Sequence, residues 1–532
     1  MSRARLLSIE VERFKSYGVA TRVELKPLTV ILGRNNGGKS SLIQALLLLK
    51  QTLAHPRADV PLHLDGVVEA LGLRELTTDW PDDLGESTGP RICVRFSSQV
   101  VIDEAWRAAG SPDPVTLEKV AGLTGQVSDS GPTELTTSVN LHFGESEGHT
   151  LLAAIDLESE PSPIAKNGAN IRLRRSSTGE FEVFFNGQKK PSGQVRAALD
   201  HFLPYLTIDR RNVGPRDSQR AWHNAFLILF ARPLDDLKRL LLGFGYLGST
   251  RGLPPTLYKA ASVPPEEIGV SGEYAAQVLH ARRSDLVNYL PPIETGDERA
   301  IVPTLIRSSP LVDAVNDVLA HLGVRTSVNI QDVQDLGFRL RFGKASLQHV
   351  GRGLTYLLPV VEYGLILDPS MGAPVPAGTT PREFELALTR FSHAALEEPE
   401  AHLHPKVQTR LAHWLVALAM AGRRFIVETH SDHFVRRLRG LAARARSGDE
   451  LDLWLKENVS VLQVEQDAQG RSTVQASALT SEGGLEHWPE DFMDEATNEE
   501  RAIYDAAIEK RVPDLAANAD LIVEHADTEE PE

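Results

Sequence analysis

Cysteine and long apolar runs are nearly absent from this 532-residue sequence. Its single cysteine, Cys93, excludes an internal disulfide framework and a cysteine-based zinc site. No apolar run approaches the roughly 20 residues that a membrane-spanning helix needs, and the apolar stretch near the N-terminus is too short for a signal peptide. We therefore expect a cytoplasmic protein that does not act in a membrane.

Regular repeats and an excess of positive charge are also missing. Residues 56–334 show no sustained heptads and no repeat of fixed period, so a long coiled coil is not expected there. The formal net charge of −16 argues against a protein that coats nucleic acid without specificity. Two local arginine clusters are exceptions: Arg210, Arg211, Arg216 and Arg220 form the first, and Arg436, Arg437, Arg439, Arg444 and Arg446 form the second. The second cluster lies on a predicted helix and is either a solvated face or a contact for nucleic acid or a partner.

The most specific motif is a glycine-rich loop between a predicted strand, residues 28–32, and a predicted leucine-rich helix, residues 41–49. The loop has the pattern G-x-x-x-x-G-K-S and consists of Gly33, Arg34, Asn35, Asn36, Gly37, Gly38, Lys39 and Ser40, followed by Ser41. In this context glycines let backbone N–H groups surround phosphate oxygens at a helix N-terminus. Lys39 would reach the β- and γ-phosphates, and the Ser40 hydroxyl would bind Mg²⁺. The sequence therefore predicts a site for ATP and Mg²⁺.

Acidic residues follow a second predicted strand, residues 391–396. Glu397 and Glu398 would lie at the carboxyl end of this strand, which is the usual ligand edge of an α/β sheet. One carboxylate can bind Mg²⁺ while the other orients and deprotonates the attacking water. His430 ends another apolar strand, residues 425–429, and can contact the γ-phosphate. In isolation, these motifs would be an acidic surface turn and a structural histidine.

Zinc binding is a competing interpretation of the same region. Its candidate ligands are His402, His404, His430 and His433 with Glu428. The spacing fixes no third ligand, so we disfavour a zinc site.

In this order, the motifs resemble the ABC-type ATPases of the RecF/SMC branch. Residues 7–18 resemble the strand that opens such domains, residues 33–40 resemble Walker A, residues 396–405 resemble Walker B with the D-loop, and residues 427–434 resemble the switch-histidine loop. The resemblance implies an α/β fold with a discontinuous ABC-type P-loop nucleotide-binding domain. It also implies that Glu397 joins Ser40 on the metal side, that Glu398 is the catalytic base, and that His430 and Lys39 complete the catalytic group.

A third segment, residues 350–359, resembles the ABC signature of this branch. Its candidate nucleotide contacts are Gly351, Gly353 and Thr355, while Thr355 and Tyr356 stand in place of the usual Ser-Gln. In the family, this segment clamps the γ-phosphate bound to the opposite subunit. The resemblance therefore implies a head-to-tail homodimer, or a higher homo-oligomer, that closes around ATP.

The same comparison suggests a division of the chain. We predict the ATPase domain at residues 1–55 and 335–465, with an insertion at 56–334, a small C-terminal domain at 466–515 and an acidic tail at 516–532. The mixed α+β insertion is expected to contain strands at 91–96, 138–143 and 181–185, and helices from about residue 199 to residue 242. Residues 243–274 and 483–495 resemble the central segment and the small C-terminal domain of one bacterial subfamily.

Three functions are compatible with such an ATPase. The resemblance favours a conformational sensor or regulator in bacterial anti-phage defence that controls a protein effector encoded nearby. A RecF-like DNA-repair ATPase, with DNA as its direct partner, is the alternative, which the negative charge disfavours. An ATPase–nuclease of the overcoming-lysogenization-defect family is less expected, because the about one hundred residues after His430 contain no apolar strand ending in Asp-x-Asp.

Overall fold

A computed structural model describes most of the chain. The described residues are 3–80, 89–101, 133–190, 195–208, 218–259, 263–291, 305–334, 336–487 and 498–508. The chain forms two compact units, Met1–Glu486 and His487–Glu532. Within the second unit, residues 498–508 are helical. Much of the predicted C-terminal domain, the acidic tail, and Arg210, Arg211 and Arg216 lie outside the described residues.

The first unit contains strands and helices throughout its length. In chain order the strands are β1 Arg5–Glu12, β2 Thr21–Glu24, β3 Leu28–Gly33, β4 Arg91–Val100, β5 Thr133–Ser146, β6 His149–Ser159, β7 Ala169–Arg175, β8 Phe181–Phe185, β9 Gln188–Lys189, β10 Val195–Asp200, β11 Leu203–Ile208, β12 Gly245–Leu247, β13 Leu286–Tyr289, β14 Arg307–Pro310, β15 Val328–Val333, β16 Gly337–Phe342, β17 Ala345–Ser346, β18 Ser392–Glu397, β19 Arg423–Glu428, β20 Val459–Gln466 and β21 Ser472–Ser477. The helices are α1 Lys39–Ala54, α2 Ser218–Phe226, α3 Arg232–Leu242, α4 Ala275–Arg282, α5 Leu311–Leu322, α6 Arg352–Ile366, α7 Pro381–Ala387, α8 Pro405–Met420, α9 Asp432–Arg444 and α10 Glu450–Asn458. Among the described residues, no helix is both long and apolar enough to cross a membrane.

A six-stranded sheet holds the segments that carry the predicted site. Its spatial order is β12-β18-β19-β3-β20-β21, with β12 through β20 parallel and β21 antiparallel at the edge. Strands β3, β18 and β19 are buried along nearly their whole length, as expected for parallel strands covered on both faces. The carboxyl ends of these three neighbours therefore meet at one edge.

A second sheet is antiparallel and has eight strands in the order β2-β1-β4-β5-β6-β7-β8-β9. In β5, buried and partly exposed residues alternate, with Leu135, Val139 and Leu141 in the core. That period of two is typical of a strand with one face on the core. The predicted strands at 91–96, 138–143 and 181–185 are present as parts of β4, β5 and β8.

Helix α1 packs between the two sheets. It contacts β1, β3 and β19 as well as α3, and its leucines are buried on every side. A helix that is apolar all round is stable only when it is surrounded by other elements. This burial fixes the helix start at Lys39 directly against the end of β3.

The predicted helical region from 199 to 242 is wrong at its beginning. Residues up to Ile208 form an antiparallel hairpin of β10 and β11, with His201 at φ 59° in the turn. From Pro204 to Thr207 buried and exposed residues alternate, with Pro204 and Leu206 buried and Tyr205 and Thr207 exposed, which is the period of a strand. Among the described residues between 199 and 242, the first helix begins at residue 218, and the π-helical turn Leu227–Ala231 joins α2 to α3.

The α/β class predicted from the sequence is confirmed. The six-stranded sheet, hereafter the central sheet, includes β12, which lies within the predicted insertion at residues 56–334. In the eight-stranded sheet, β1 and β2 from the predicted ATPase domain occur together with six strands of the predicted insertion. The predicted domain boundaries stay predictions.

Candidate nucleotide-binding site

The glycine-rich loop connects β3 to α1 in a backbone conformation that few residues can adopt. Gly33 has φ 149° and Gly38 has φ 94°, while Asn36 has φ 63°. A Cβ atom on Gly33 would collide with the carbonyl oxygen of Val464, and one on Gly38 would collide with the Ser472 hydroxyl. Both positions therefore require glycine, for conformation and for space.

Neighbouring elements hold the loop from outside. The Ser472 hydroxyl donates to the carbonyl oxygen of Gly37 at 2.7 Å, and the Tyr17 hydroxyl donates to that of Gly38 at 3.1 Å. Arg34, Asn35 and Asn36 are exposed at the tip of the loop. The loop thus keeps its shape through contacts with β21 and the segment after β1.

A pocket of about 630 Å³ opens over this loop. Its lining residues are Lys15, Ser16, Asn36, Gly37, Gly38, Lys39, Ser40, Ser41, Gln44, Glu75, Glu428 and Gln466. The volume is within the range of small-molecule and cofactor sites, so the pocket is large enough for a nucleotide.

Lys39 is buried at the base of the pocket. Its ammonium donates to the carbonyl oxygens of Gly33 at 3.1 Å and Arg34 at 2.8 Å, and it lies 3.8 Å from Glu428 Oε1. Burial lowers the pKa of Lys39, and the charge of Glu428 opposes that shift. The side chain folds back onto its own loop, where a phosphate oxygen could replace the two carbonyls.

Ser40 contacts a carboxylate that the sequence analysis considered only as a zinc ligand. Its hydroxyl donates to Glu428 Oε2 at 2.8 Å. Glu428 ends β19 and is 6% exposed. Burial raises the pKa of Glu428, against the hydrogen bond from Ser40 and the charge of Lys39. The sequence shows that Glu428 ends an apolar strand, but the position of that strand beside the loop strand is seen only in the structure.

Glu397 lies one strand farther from the loop. It is 7% exposed at the end of β18, and its Oε1 is buried with no hydrogen-bond partner in the described part of the chain. Burial and the nearby charge of Glu428 raise the pKa of Glu397 to about 7, although the Tyr246 hydroxyl donates a hydrogen bond to it. Burial therefore disfavours the charged form of Glu397.

The next residue, Glu398, begins the segment of residues 398–400, which we call the acidic turn. Glu398 has a left-handed backbone conformation with φ 44°. Its N–H donates to the carbonyl oxygen of Glu428 at 2.8 Å, which ties the turn to β19. The Glu398 side chain is half-buried. Strained backbone of this kind is often found at functional sites, and here it turns the chain sharply after Glu397.

His430 follows β19 with an exposed side chain. Its backbone N–H donates to Glu400 Oε1 at 3.1 Å, and the Thr429 hydroxyl donates to the same atom. Partial burial of the ring and the charge of Lys39 lower the pKa of His430, against the charge of Glu398. Glu400, which sequence reasoning missed, thus fixes the switch loop to the acidic turn.

Arg251, in the loop after β12, also reaches this edge of the sheet. It is 4% exposed, and its Nη2 donates to the carbonyl oxygen of Glu397 at 3.1 Å. Its Nε and Nη1 are buried and have no hydrogen-bond partner within the described ranges. Burial lowers the pKa of Arg251 to about 10. This segment resembles the central segment of one bacterial subfamily, but its sequence predicted no role for Arg251.

The signature-like segment lies elsewhere on the molecule. Gly351 caps α6 with φ −58°, and a Cβ atom there would meet no described atom within 4 Å. A Cβ atom on Gly353 would lie 2.9 Å from the carbonyl oxygen of His402 in the predicted D-loop. The Tyr356 ring packs edge-on against His402 at 4.7 Å between centroids, and Thr355 is buried. The structure therefore joins the signature-like segment to the D-loop, and none of the described residues that line the loop pocket belongs to it.

The oxygen groups around the loop fit Mg²⁺ bound together with phosphates. Mg²⁺ is usually held by one or two protein oxygen ligands plus substrate phosphates and waters, rather than by an all-protein cage. The hydroxyl of Ser40 and the carboxylates of Glu428 and Glu397 are ligands of that type. In the described residues, no group of three or more histidine, cysteine, aspartate or glutamate side chains is arranged to hold a metal ion.

Comparison with known proteins agrees with this geometry. Residues 5–171 and 392–435 match the family model described as "AAA ATPase domain". The matched segments include the loop, the acidic turn and His430, whereas β12, α6 and β20 lie outside them. No curated protein matches the sequence.

Several solved SMC head structures overlap most of the chain at low similarity. The SMC head bound to the C-winged helix domain of ScpA is 12% identical, with 89% of this chain and 98% of that chain covered and a TM-score of 0.36. The SMC head domain from Thermotoga maritima is 11% identical, with 88% and 98% covered and a TM-score of 0.32. An Smc head domain bound to the C-terminal domain of ScpA, derived from Pyrococcus furiosus, is 12% identical, with 90% and 97% covered and a TM-score of 0.34. These scores are too low for a functional comparison. With the domain match, the central sheet and its loop give this chain a P-loop ATPase fold.

Proposed function

We propose that this protein binds ATP with Mg²⁺ at the loop of residues 33–41 and hydrolyses it. The observation that carries the proposal is the convergence of three segments at one edge of a parallel sheet. The loop follows β3, His430 follows β19 and Glu398 follows β18, and these strands are direct neighbours in the order β18-β19-β3. Convergence of a phosphate loop, a carboxylate and a histidine at this edge suits phosphoryl transfer to water.

Each side chain has a role in this proposal. Lys39 leaves the carbonyl oxygens of Gly33 and Arg34 and binds the β- and γ-phosphates, while backbone N–H groups of the loop surround them. Glu398 accepts a proton from the attacking water, and neutral His430 donates a hydrogen bond to the γ-phosphate. Bound Mg²⁺ would offset the negative charge of the phosphate oxygens.

The nucleotide site is completed by a second copy of the chain in this proposal. Gly351 and Arg352 are exposed at the start of α6, and Gly351 has open space in front of it. Backbone N–H groups at a helix start can bind phosphate oxygens, which gives α6 a surface for the nucleotide of the partner. ATP would close a head-to-tail homodimer, and hydrolysis would reopen it.

The biological output is proposed to be conformational. The resemblance of the motifs to RecF/SMC-branch ATPases in phage-defence loci supports a sensor or regulator that controls a separate protein effector. The net charge of −16 supports a protein partner over nonspecific nucleic acid.

Direct DNA binding remains the second candidate, favoured by one observation. Arg436, Arg444 and Arg446 are exposed on and just after α9, although Arg436 also pairs with Asp432. A row of exposed arginines can contact phosphates. Turnover that rises with added double-stranded DNA would favour this candidate over a protein effector.

The first test is ATP turnover by the full chain and by Lys39→Ala. We expect turnover to fall by at least about a hundredfold in the variant, because the phosphates lose their main cation. Lys50→Ala is the matched control, since Lys50 is on the same helix but pairs with Glu267. Equal turnover by Lys39→Ala and the wild type would refute the site.

A further inference from the structure

We propose that Glu428, rather than Glu397, is the acidic side chain that binds the divalent cation beside Ser40. This inference rests on the proposed ATPase function and specifies its metal site. Glu397 holds the position that the sequence motif assigns to the metal. In the structure, however, Glu428 lies against Ser40 and Lys39, the two loop side chains that are proposed to contact the cation and the phosphates.

The contacts of Glu428 span the two groups involved. Its Oε2 accepts a hydrogen bond from the Ser40 hydroxyl at 2.8 Å, and its Oε1 lies 3.8 Å from the Lys39 ammonium. It also lines the pocket over the loop. A hydroxyl and a carboxylate that already touch inside the nucleotide pocket form a pair of oxygen ligands of the kind that Mg²⁺ prefers.

Sheet register explains why Glu428 is nearer than Glu397. Glu428 pairs with Ile31 on the loop strand, and Glu397 pairs with Glu428. Because neighbouring strands are about 4.8 Å apart, the backbone of Glu428 is about 5 Å from the loop strand and that of Glu397 is about 10 Å from it.

Glu397 also has contacts on the side of β18 that faces β12. Its side chain accepts a hydrogen bond from Tyr246, and its carbonyl oxygen accepts one from Arg251. Tyr246 belongs to β12, on the side of β18 opposite to β19. Glu397 therefore connects β18 to β12 and positions the start of the acidic turn.

A bound cation would also compensate the negative charge of Glu428 beside the loop. Without nucleotide, the Lys39 ammonium is the cation nearest to the buried Glu428 carboxylate among the described ion pairs. When Lys39 moves to the phosphates, Glu428 would lose this partner, and an unpaired buried carboxylate is strongly unfavourable. A divalent cation at Ser40 and Glu428 would restore the balance.

The test compares Glu428→Gln with Glu397→Gln in the full chain. Both changes keep side-chain volume and remove one negative charge. A nonhydrolysable ATP analogue is titrated with Mg²⁺ and with EDTA, and Mn²⁺ binding to the protein–analogue complex is measured by electron paramagnetic resonance. We expect Glu428→Gln to weaken Mn²⁺ binding by about 10- to 100-fold and to lose the gain in affinity that Mg²⁺ provides. In EDTA it should bind the analogue at least as tightly as the wild type does. Glu397→Gln should retain both metal effects.

Further outcomes separate this inference from the proposed function. Loss of the metal effects in Glu397→Gln but not in Glu428→Gln would overturn the assignment of Glu428. Absence of analogue binding by the wild type in both conditions would overturn the ATPase proposal and the metal site together. Glu428→Asp keeps the carboxylate, so we expect it to recover part of the Mn²⁺ binding lost in Glu428→Gln. Its failure to do so, with an unchanged unfolding temperature, would contradict a ligand role.

Discussion

At the scale of single residues, buried ionisable groups are concentrated where the sheet meets the loop. Lys39, Glu397, Glu400 and Glu428 are all buried, and burial shifts the pKa of each toward its neutral form. When charged, the three carboxylates of this group repel one another, and Lys39 carries the only opposite charge among these four residues. A ligand that brings both phosphates and a cation would pair these charges, which is why we place the nucleotide here.

One buried carboxylate, Glu362 on α6, lies in a different place and makes a simpler test of burial. It is fully buried, and the charge of Arg282 and the backbone of Leu279 only partly oppose the effect of burial on its pKa. Burial raises its pKa well above the ordinary value of 4.5. Because the folded state then holds a proton that the unfolded state releases, the free energy of unfolding falls as pH rises above 4.5, by up to about 1.4 kcal/mol per pH unit.

We therefore predict that Glu362→Gln removes this part of the pH dependence. The variant should gain stability relative to the wild type between pH 5.5 and pH 8, by more than about 1 kcal/mol. Urea unfolding followed by intrinsic fluorescence at the two pH values measures the difference. The same pH dependence in both proteins would show that Glu362 is not held protonated.

At the scale of elements, the site depends on which strands are neighbours. Strand β19 separates the loop strand β3 from the acidic-turn strand β18, so Glu428 rather than Glu397 meets Ser40. The signature-like end of α6 instead packs on the predicted D-loop through Gly353 and Tyr356. Gly351 is left with open space, as a contact to another chain would require.

Gly351→Asp tests that contact without disturbing the fold. Asp is a favoured N-cap residue, Gly351 has an ordinary φ of −58°, and the Cβ position is open to the described residues. We predict an unchanged or raised unfolding temperature, ATP binding within about threefold of wild type, and loss of ATP-dependent dimerisation, because the carboxylate repels the partner's phosphates. Gly351→Asn has the same size without the charge and should retain more dimerisation. Dimerisation of Gly351→Asp at wild-type ATP concentrations would contradict a signature role.

Local patterns predicted the elements better than they predicted the contacts between them. The loop, the acidic turn and His430 could be placed at strand ends because G-x-x-x-x-G-K-S and the flanking apolar runs are local signals. The partners Glu428, Tyr246 and Arg251 could not, because they depend on strand order between segments far apart in the chain. The hairpin of β10 and β11 was missed because its leucines also fit a short helical run, and Pro204 and the turn at His201 decide against the helix.

At the scale of the whole molecule, the proposed nucleotide site requires two copies of the chain. Within one copy, the loop pocket and the exposed start of α6 are separate surfaces. Each could complete the site of the other copy in a head-to-tail homodimer, which would couple ATP binding to a change in assembly. Such a change is the form of output that a sensor or regulator of a separate effector needs.

The most direct test is the mass of Glu398→Gln in solution with Mg²⁺ and ATP. Without its proposed base, the protein should bind ATP but hydrolyse it at least about a hundredfold more slowly, so the closed dimer should accumulate. Light scattering should then give twice the mass seen with ADP, with ATP retained in the complex. Turnover equal to that of the wild type, or a mass that ATP does not change, would contradict an ATPase that closes as a dimer around its nucleotide.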